Sequence, residues 1–417
     1  IILRMNISDE KAYYVNNILT IYFIAIICFV AIYSFVYIPD YETYEISDWM
    51  INYEGGFVRR GLIGQCLLWA NHIHSFDIRY AIVLIEAFFY VLFLYLIFKI
   101  FNKYKWSLLG AMFPIVCSTT SLTVYRRDFM MLCLCYLSYK LFFRYLKDNG
   151  INSLIISIMI MSVSITIYEP IFFVMVPVLV LQYWNKKKNI LNTLFIFLIP
   201  ILCMVLSCIF RGTDNQVNDI WQSWLPYLSQ YVDIQNENIG FAIQFLGLTN
   251  QEVFSLHYEC TFRDNMPLWT IITLIIVFSL AYFLCTYVPS VYREGKRLCE
   301  NIDKYELSKI LLFQLFIQLP IFTFLSCDYG RTIPMSLYTS FFIFHMSKMN
   351  GYKVYVTNII GNTSDKIINS LNSYTVFNNP WVYIFTILLF PFHTFAPSLV
   401  YDNIIVHSLQ KIIKYLI

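Results

Sequence analysis

Apolar residues run along this chain in long blocks, near 19–38, 80–98, 106–124, 129–146, 152–168, 170–184, 190–210, 268–288, 308–326, 332–347 and 381–398. A helix of about 20 apolar residues crosses a hydrocarbon core, so the blocks predict an all-α, polytopic transmembrane helical bundle of about 11 spans, several of them short. The first block ends in Pro39-Asp40 rather than in the small residues of a cleavage site, and is read as a retained span. No repeat of fixed period and no low-complexity stretch interrupts the pattern, so residues 1–417 read as a single integral membrane domain.

Polar residues between the blocks set the orientation. Lys99/Lys103/Lys105, Lys140/Arg144/Lys147, Lys186/Lys187/Lys188, Arg293/Lys296/Arg297 and Lys348/Lys353 fall at every second connection, which makes those loops cytoplasmic, together with an N-terminus carrying Arg4 and Lys11. The alternate connections are then extracytoplasmic: a first loop at 39–79, tight turns near 125–128, 168–170 and 327–331, an enlarged loop at 211–267, and the C-terminal tail.

Composition agrees. The chain is 59% hydrophobic and 13% charged, and its net charge of +3 lacks the extended basic surface that nucleic-acid binding requires, so nucleic acid is set aside. Most of the 11 cysteines sit in apolar runs, where a thiol acts as a small hydrophobe. No CxxC or Cys/His spacing points to a metal, and no cofactor motif is seen.

Charge on the extracytoplasmic side is where chemistry is expected. The segment from Ser47 to Gly64 gathers Asp48, Glu54, Gly55-Gly56 and the pair Arg59-Arg60, followed by a short interfacial helix over Leu62 to Ala70. Guanidinium forks match phosphate oxygens, and a nearby carboxylate can take a proton from an attacking hydroxyl. Arg126, Arg127 and Asp128 occupy a tight turn, where the plain reading is an Arg–Asp ion pair with Asp128 capping the next helix and the other reading is phosphate or glycan binding.

Glu169 lies between two apolar blocks, at or below the interface. Burial would raise its pKa unless an arginine lies within reach. Asp328 and Arg331 repeat the same residue types in another turn, and the enlarged loop adds Arg211, Trp221 and Trp224, aromatics that either stack on sugar rings or anchor helices at the interface. If the spans bundle, the first loop, the two arginine-bearing turns and Glu169 converge on one cavity.

In this plan of about 11 spans, an enlarged outer loop, outward arginines and an acidic first loop with Asp40, Glu42, Asp48 and Glu54, the chain resembles bacterial O-antigen and capsular polysaccharide polymerases of the Wzy type. More broadly, it resembles membrane glycosyltransferases of the GT-C type. The resemblance implies polymerisation of undecaprenyl-pyrophosphate-linked oligosaccharide units at the periplasmic face of the bacterial inner membrane, by inverting or retaining transfer. It gives the base role to Asp48, with Asp40 and Glu54 as competitors, and Glu169 is a further catalytic candidate from its own position. Arg59, Arg60, Arg126, Arg127, Asp128, Arg211, Asp328 and Arg331 become the substrate contacts, and a chain-length regulator becomes a candidate partner beside the lipid-linked substrate and membrane lipids. The chain departs from the GT-C pattern in having no soluble C-terminal domain. A transferase adding one sugar from a polyprenyl phosphate, and a lipid or polysaccharide transporter, are the competing expectations.

Overall fold

The structure is a computed structural model that describes residues 38–104, 126–231, 238–259, 304–320 and 329–373, with positions 21, 24, 28, 292–293 and 296–297. The spans expected at 106–124, 268–288 and 381–398, and nearly all of that at 19–38, lie outside the described residues. Within them the chain is helical: α1 (Tyr44–Met50), α2 (Gly61–Ile73), α3 (Ile78–Tyr104), α4 (Asp128–Asp148), α5 (Ile151–Ile167), α6 (Ile171–Lys187), α7 (Ile190–Ile196), α8 (Leu198–Ile209), α9 (Asp214–Leu228), α10 (Phe241–Gly247), α11 (Asn250–Tyr258), α12 (Lys304–Pro320), α13 (Tyr329–Asn350) and α14 (Asn358–Ser373). A two-residue antiparallel ladder, Tyr292–Arg293 with Lys296–Arg297, is the strand pairing among the described residues.

Two of these helices are long and apolar enough to cross a membrane, α3 over Ile78–Ile97 and α4, and a third crossing results if α7 and α8 count as one. The block at 190–210, expected as a single span, is bent by 59° between those two helices. Its cause is local: Pro200 in the first turn of α8 has no N–H to return to the carbonyl of Ile196, so the ladder breaks at Phe197. The described part of α12 is 17 residues long, short of a crossing. In α13 Ser336, Thr339, Ser340, His345 and Ser347, all buried between helices, lower the mean hydropathy while facing protein, and Gln314 and Gln318 are buried likewise in α12.

At the centre of the bundle α4 packs on α5, α13, α3 and α6, while α12 bridges α13, α6 and α14. Several buried polar groups there are paired: the Ser138 and Ser157 hydroxyls lie 2.9 Å apart, and Tyr139 and Gln314 both donate to the Val174 carbonyl, at 3.0 and 3.2 Å. The two ends differ in chemistry. At one, Lys186 donates to the final carbonyls of α4 (Leu146, 2.6 Å), while Lys309–Asp365 (2.8 Å) and Lys348–Glu306 (2.5 Å) tie α14 and α13 to α12.

Over the other end lies a layer made of α1, α2, α9 and α10, in which the first loop and the 211–247 region are knitted together. Trp224 is fully buried and donates to the Met50 carbonyl at 2.7 Å, Asn52 donates to Ser223 at 2.8 Å, and the Ala242 amide donates to Ser47 at 3.0 Å. Trp221 is buried as well. Both tryptophans are therefore core of this layer, neither a sugar platform nor a membrane anchor, because the first loop covers them. The expected interfacial helix is α2, whose Trp69 and Ile73 remain exposed.

Close backbone approach fixes how α2 leaves this layer. A β-carbon on Gly64 would run into the Ile51 carbonyl and lie 2.8 Å from the Trp49 carbonyl oxygen, both rigid main-chain atoms. Gly64→Ala is expected to destabilise by about 1–3 kcal/mol, as overpacking does, and to lower the thermal midpoint of the solubilised protein. Gly361→Ala, inside α14 where the nearest atom is Lys309 Cε at 4.0 Å, should not lower the midpoint. Equal midpoints for both variants would contradict the close approach.

Candidate functional site

The site begins with two short sequence rules. In Tyr168-Glu169-Pro170 the residue before proline is kept out of the helical region, so α5 ends at Ile167, α6 starts after Pro170, and Glu169 is left in the turn between them. In α1, Tyr44 and Asp48 are four residues apart and share a face. Arg60, the N-cap of α2, takes a left-handed φ of 65°, unusual for a residue with a β-carbon, and this turns its side chain between those two elements.

Arg60 Nε and Nη2 donate to Glu169 Oε2 and Oε1, each at 2.7 Å, a two-pronged pair. Its third nitrogen donates to the Tyr44 hydroxyl at 3.1 Å and to Asp48 Oδ1 at 3.4 Å, and Tyr168 lies under the guanidinium at 5.1 Å. Arg127 is 1% exposed. It donates to the Ile167 carbonyl at 2.6 Å, the Arg60 carbonyl at 3.3 Å and the Asp48 carbonyl, with Nε 3.3 Å from Asp48 Oδ2 and Trp49 at 5.4 Å. The end of α5 has carbonyls without helical partners, and Arg127 supplies the donor and the positive charge one of them needs. Arg59 Nη1 reaches Glu169 Oε1 at 3.5 Å, Arg126 Nη2 lies 3.5 Å from Glu45, and Arg126 Cζ lies 5.4 Å from the Tyr44 ring centroid.

Burial alone would raise the pKa of Glu169. The charges of Arg60 and Arg59 and the hydrogen bonds from Arg60 outweigh it and bring the carboxyl down to about 2. Burial likewise would lower Arg60, but Glu169, Tyr44 and Asp48 hold it well above its usual value. Arg59 and Arg127 are pushed down, first by burial and then, against the pull of the carboxylates, by their neighbouring arginines.

Of the residues expected to act, Asp48, Glu169, Arg59, Arg60 and Arg127 meet in one network, with Arg126 beside it through Glu45. Arg211, next to the Phe210 carbonyl that accepts from the Arg59 amide at 2.9 Å, adds its charge at the edge. Glu54 is exposed and accepts from Gln65 at 3.0 Å. Asp128 lies buried in the first turn of α4, but the cap position belongs to Arg127, whose side chain pairs with Asp48 instead of capping the helix. Asp328 lies outside the described residues, and Arg331 is placed by its backbone in the first turn of α13.

Tyr44, Glu45, Trp49 and Tyr168 were not anticipated. The i to i+4 spacing of Tyr44 and Asp48 was the available signal. Glu86, buried in the middle of α3 near Cys133, was also passed over, although a carboxylate in an apolar run invites attention. Among the described residues, no group of three or more His, Cys, Asp or Glu is placed to hold a metal ion.

What fold and site define together is a helical protein with two to three helices fit to cross a membrane and a buried arginine–carboxylate network at one end of its bundle. No protein-family model, curated protein or solved structure matches the chain.

Because the folded pKa of Glu169 lies below its usual 4.5, its contribution to stability is present above that pH and is lost as pH falls from 4.5 towards 2. The loss amounts to about 3 kcal/mol. Glu169→Gln should unfold at lower temperature at neutral pH and show a smaller further drop between pH 5 and pH 2 than the wild type. Parallel pH profiles for the two proteins would show that the pair does not carry this dependence.

Proposed function

We propose that the chain is a bacterial inner-membrane enzyme that transfers sugar from a lipid-linked donor at the extracytoplasmic face, in its fullest form joining undecaprenyl-pyrophosphate-linked oligosaccharide units into a polymer. In this reading the bundle has about 11 spans, the N-terminus is cytoplasmic, and the layer formed by the first loop and the 211–267 loop faces the periplasm. The lysines at the opposite end, Lys186 and Lys348 among them, agree with that orientation. The observation that carries the reading is the meeting of three guanidiniums, Arg59, Arg60 and Arg127, with the carboxylates of Asp48 and Glu169 at the end of the bundle away from those lysines.

Transfer from a lipid pyrophosphate develops negative charge on the leaving group, which fixed guanidiniums stabilise without reorganising. The attacking hydroxyl must lose a proton. Glu169 is poorly suited to take it: both its oxygens are bound by Arg60, and a carboxyl with a pKa of about 2 is a weak base. It is a positioning residue. Asp48 has longer contacts, 3.4 Å to Arg60 and 3.3 Å to Arg127, and is the better candidate for the base. Glu54, exposed and held by Gln65, is a lesser one.

The test is turnover of purified protein with a lipid-linked oligosaccharide. Asp48→Asn should reduce it by about 100-fold or more, the scale of general-base catalysis, with the thermal midpoint within a few degrees of wild type. A ladder of products identifies a polymerase, and a single added sugar a GT-C-like transferase. Movement of the labelled lipid across the bilayer with no new glycosidic bond would replace transfer by transport.

A further inference from the structure

Hydrogen-bond accounting separates the arginines of the site into two groups. Arg60 has its donors spent on Glu169, Tyr44 and Asp48, and Arg127 gives both Nη atoms to main-chain carbonyls while its Nε, buried without a hydrogen bond, lies 3.3 Å from Asp48 Oδ2 in an ion pair. Arg59 makes no side-chain hydrogen bond among the described residues: its Nε is buried without an acceptor, and its contact to Glu169, at 3.5 Å, is to an oxygen already bound at 2.7 Å by Arg60. Arg211, whose charge reaches Arg59, makes no ion pair among the described residues. Two neighbouring guanidiniums thus share part of one carboxylate, and a buried donor without an acceptor costs about 1–3 kcal/mol.

The surface leading to them is apolar. Along α8, Leu198, Leu202, Val205, Leu206 and Ile209 are all exposed and recur at helical spacing on one face, ending immediately before Phe210 and Arg211. Phe210 is itself exposed and packs edge-on against exposed Phe57 at 5.5 Å, two residues before Arg59. An apolar stripe that terminates at two under-compensated cations has the amphipathic pattern of a lipid with an anionic head.

We infer that Arg59 and Arg211 form the binding site for the phosphate of a membrane lipid whose chain lies along the exposed face of α8. The cations select phosphate over a neutral headgroup, and the stripe selects a lipid over free phosphate. Arg60 and Arg127 hold the site's shape without touching the ligand. The lipid chain chosen for testing rests on the glycosyl-transfer reading; the charge argument does not.

Binding of a long-chain polyprenyl phosphate to the full chain in zwitterionic nanodiscs tests this. Arg59→Gln and Arg211→Gln should each weaken it about tenfold or more, the loss of a charge-assisted hydrogen bond, whereas Arg144→Gln, on an exposed pair with Asp148 at the far end of α4, should not. Should Arg59→Gln fail to fold, Arg211→Gln, at the edge of the network, decides alone. The matched polyprenol should bind far more weakly, and inorganic phosphate should not compete. Unchanged affinity in Arg211→Gln, or competition by inorganic phosphate at the level of the lipid, overturns the assignment. Loss of binding in Arg211→Gln with full turnover in Asp48→Asn would uphold the lipid site and remove the base from the transfer reading.

Discussion

Taking a guanidinium and a carboxylate out of water costs several kcal/mol for each ion, and only excellent geometry repays it. Arg60 and Glu169 meet that condition with two hydrogen bonds of 2.7 Å, and the rest of the outer layer is arranged around keeping them so. Glu169 is anchored by the proline that separates α5 from α6. Arg60 is anchored by Gly61 and Gly64, which let α2 lie against the Tyr53 ring and the main chain at Trp49 and Ile51, and by a left-handed turn that a residue with a β-carbon adopts only when its surroundings impose it. Arg127 then closes the arrangement by bonding Ile167, Arg60 and Asp48 at once, one acceptor from each of the three segments that must stay together.

Much of the helical plan was legible in the chain. Gly64→Ala probes a contact that was not, since nothing in the sequence shows that the α2 backbone comes within van der Waals distance of Ile51. The blocks at 80–98, 129–146, 152–168 and 170–184 correspond to α3, α4, α5 and α6, because long apolar runs can satisfy their main chain only as helices. The block at 190–210 was misread as continuous, since hydropathy does not register the missing N–H of Pro200. The loop tryptophans were misread because the sequence does not say which loop covers which.

The site was legible in its charged residues and not in its pairings. Arginines in connections that lack the lysine clusters stand out from the usual bias, and a glutamate between two apolar blocks is costly, so both attracted attention. Partner choice depends on which helix ends are neighbours. The local reading was an Arg–Asp pair within the 126–128 turn, and of its two arginines Arg127 turns instead to Asp48, 79 positions earlier. Tyr44 and Tyr168 entered for the same reason: an aromatic earns notice beside a cation only once the cation's position is known.

Two demands on arginine explain why the network contains so many. A fork that holds three segments together must have every donor occupied, since an unspent donor in a dry site is a penalty. A fork that receives a ligand must keep donors open until the ligand arrives. One guanidinium cannot do both well. Arg60 and Arg127 come nearest to the first demand, each held by several fixed acceptors and a carboxylate, and are correspondingly deep, whereas Arg59 and Arg211 sit where the first loop meets the end of α8 and retain more unspent capacity. The resulting imbalance of charge is tolerable only at the rim, where water or an anion can approach, and it could not be moved inward to Arg127 without exposing the carbonyls that close α5. That ordering, cations held by many acceptors inside and sparsely held ones at the edge, follows from the cost of burying charge and does not depend on which reaction the site performs.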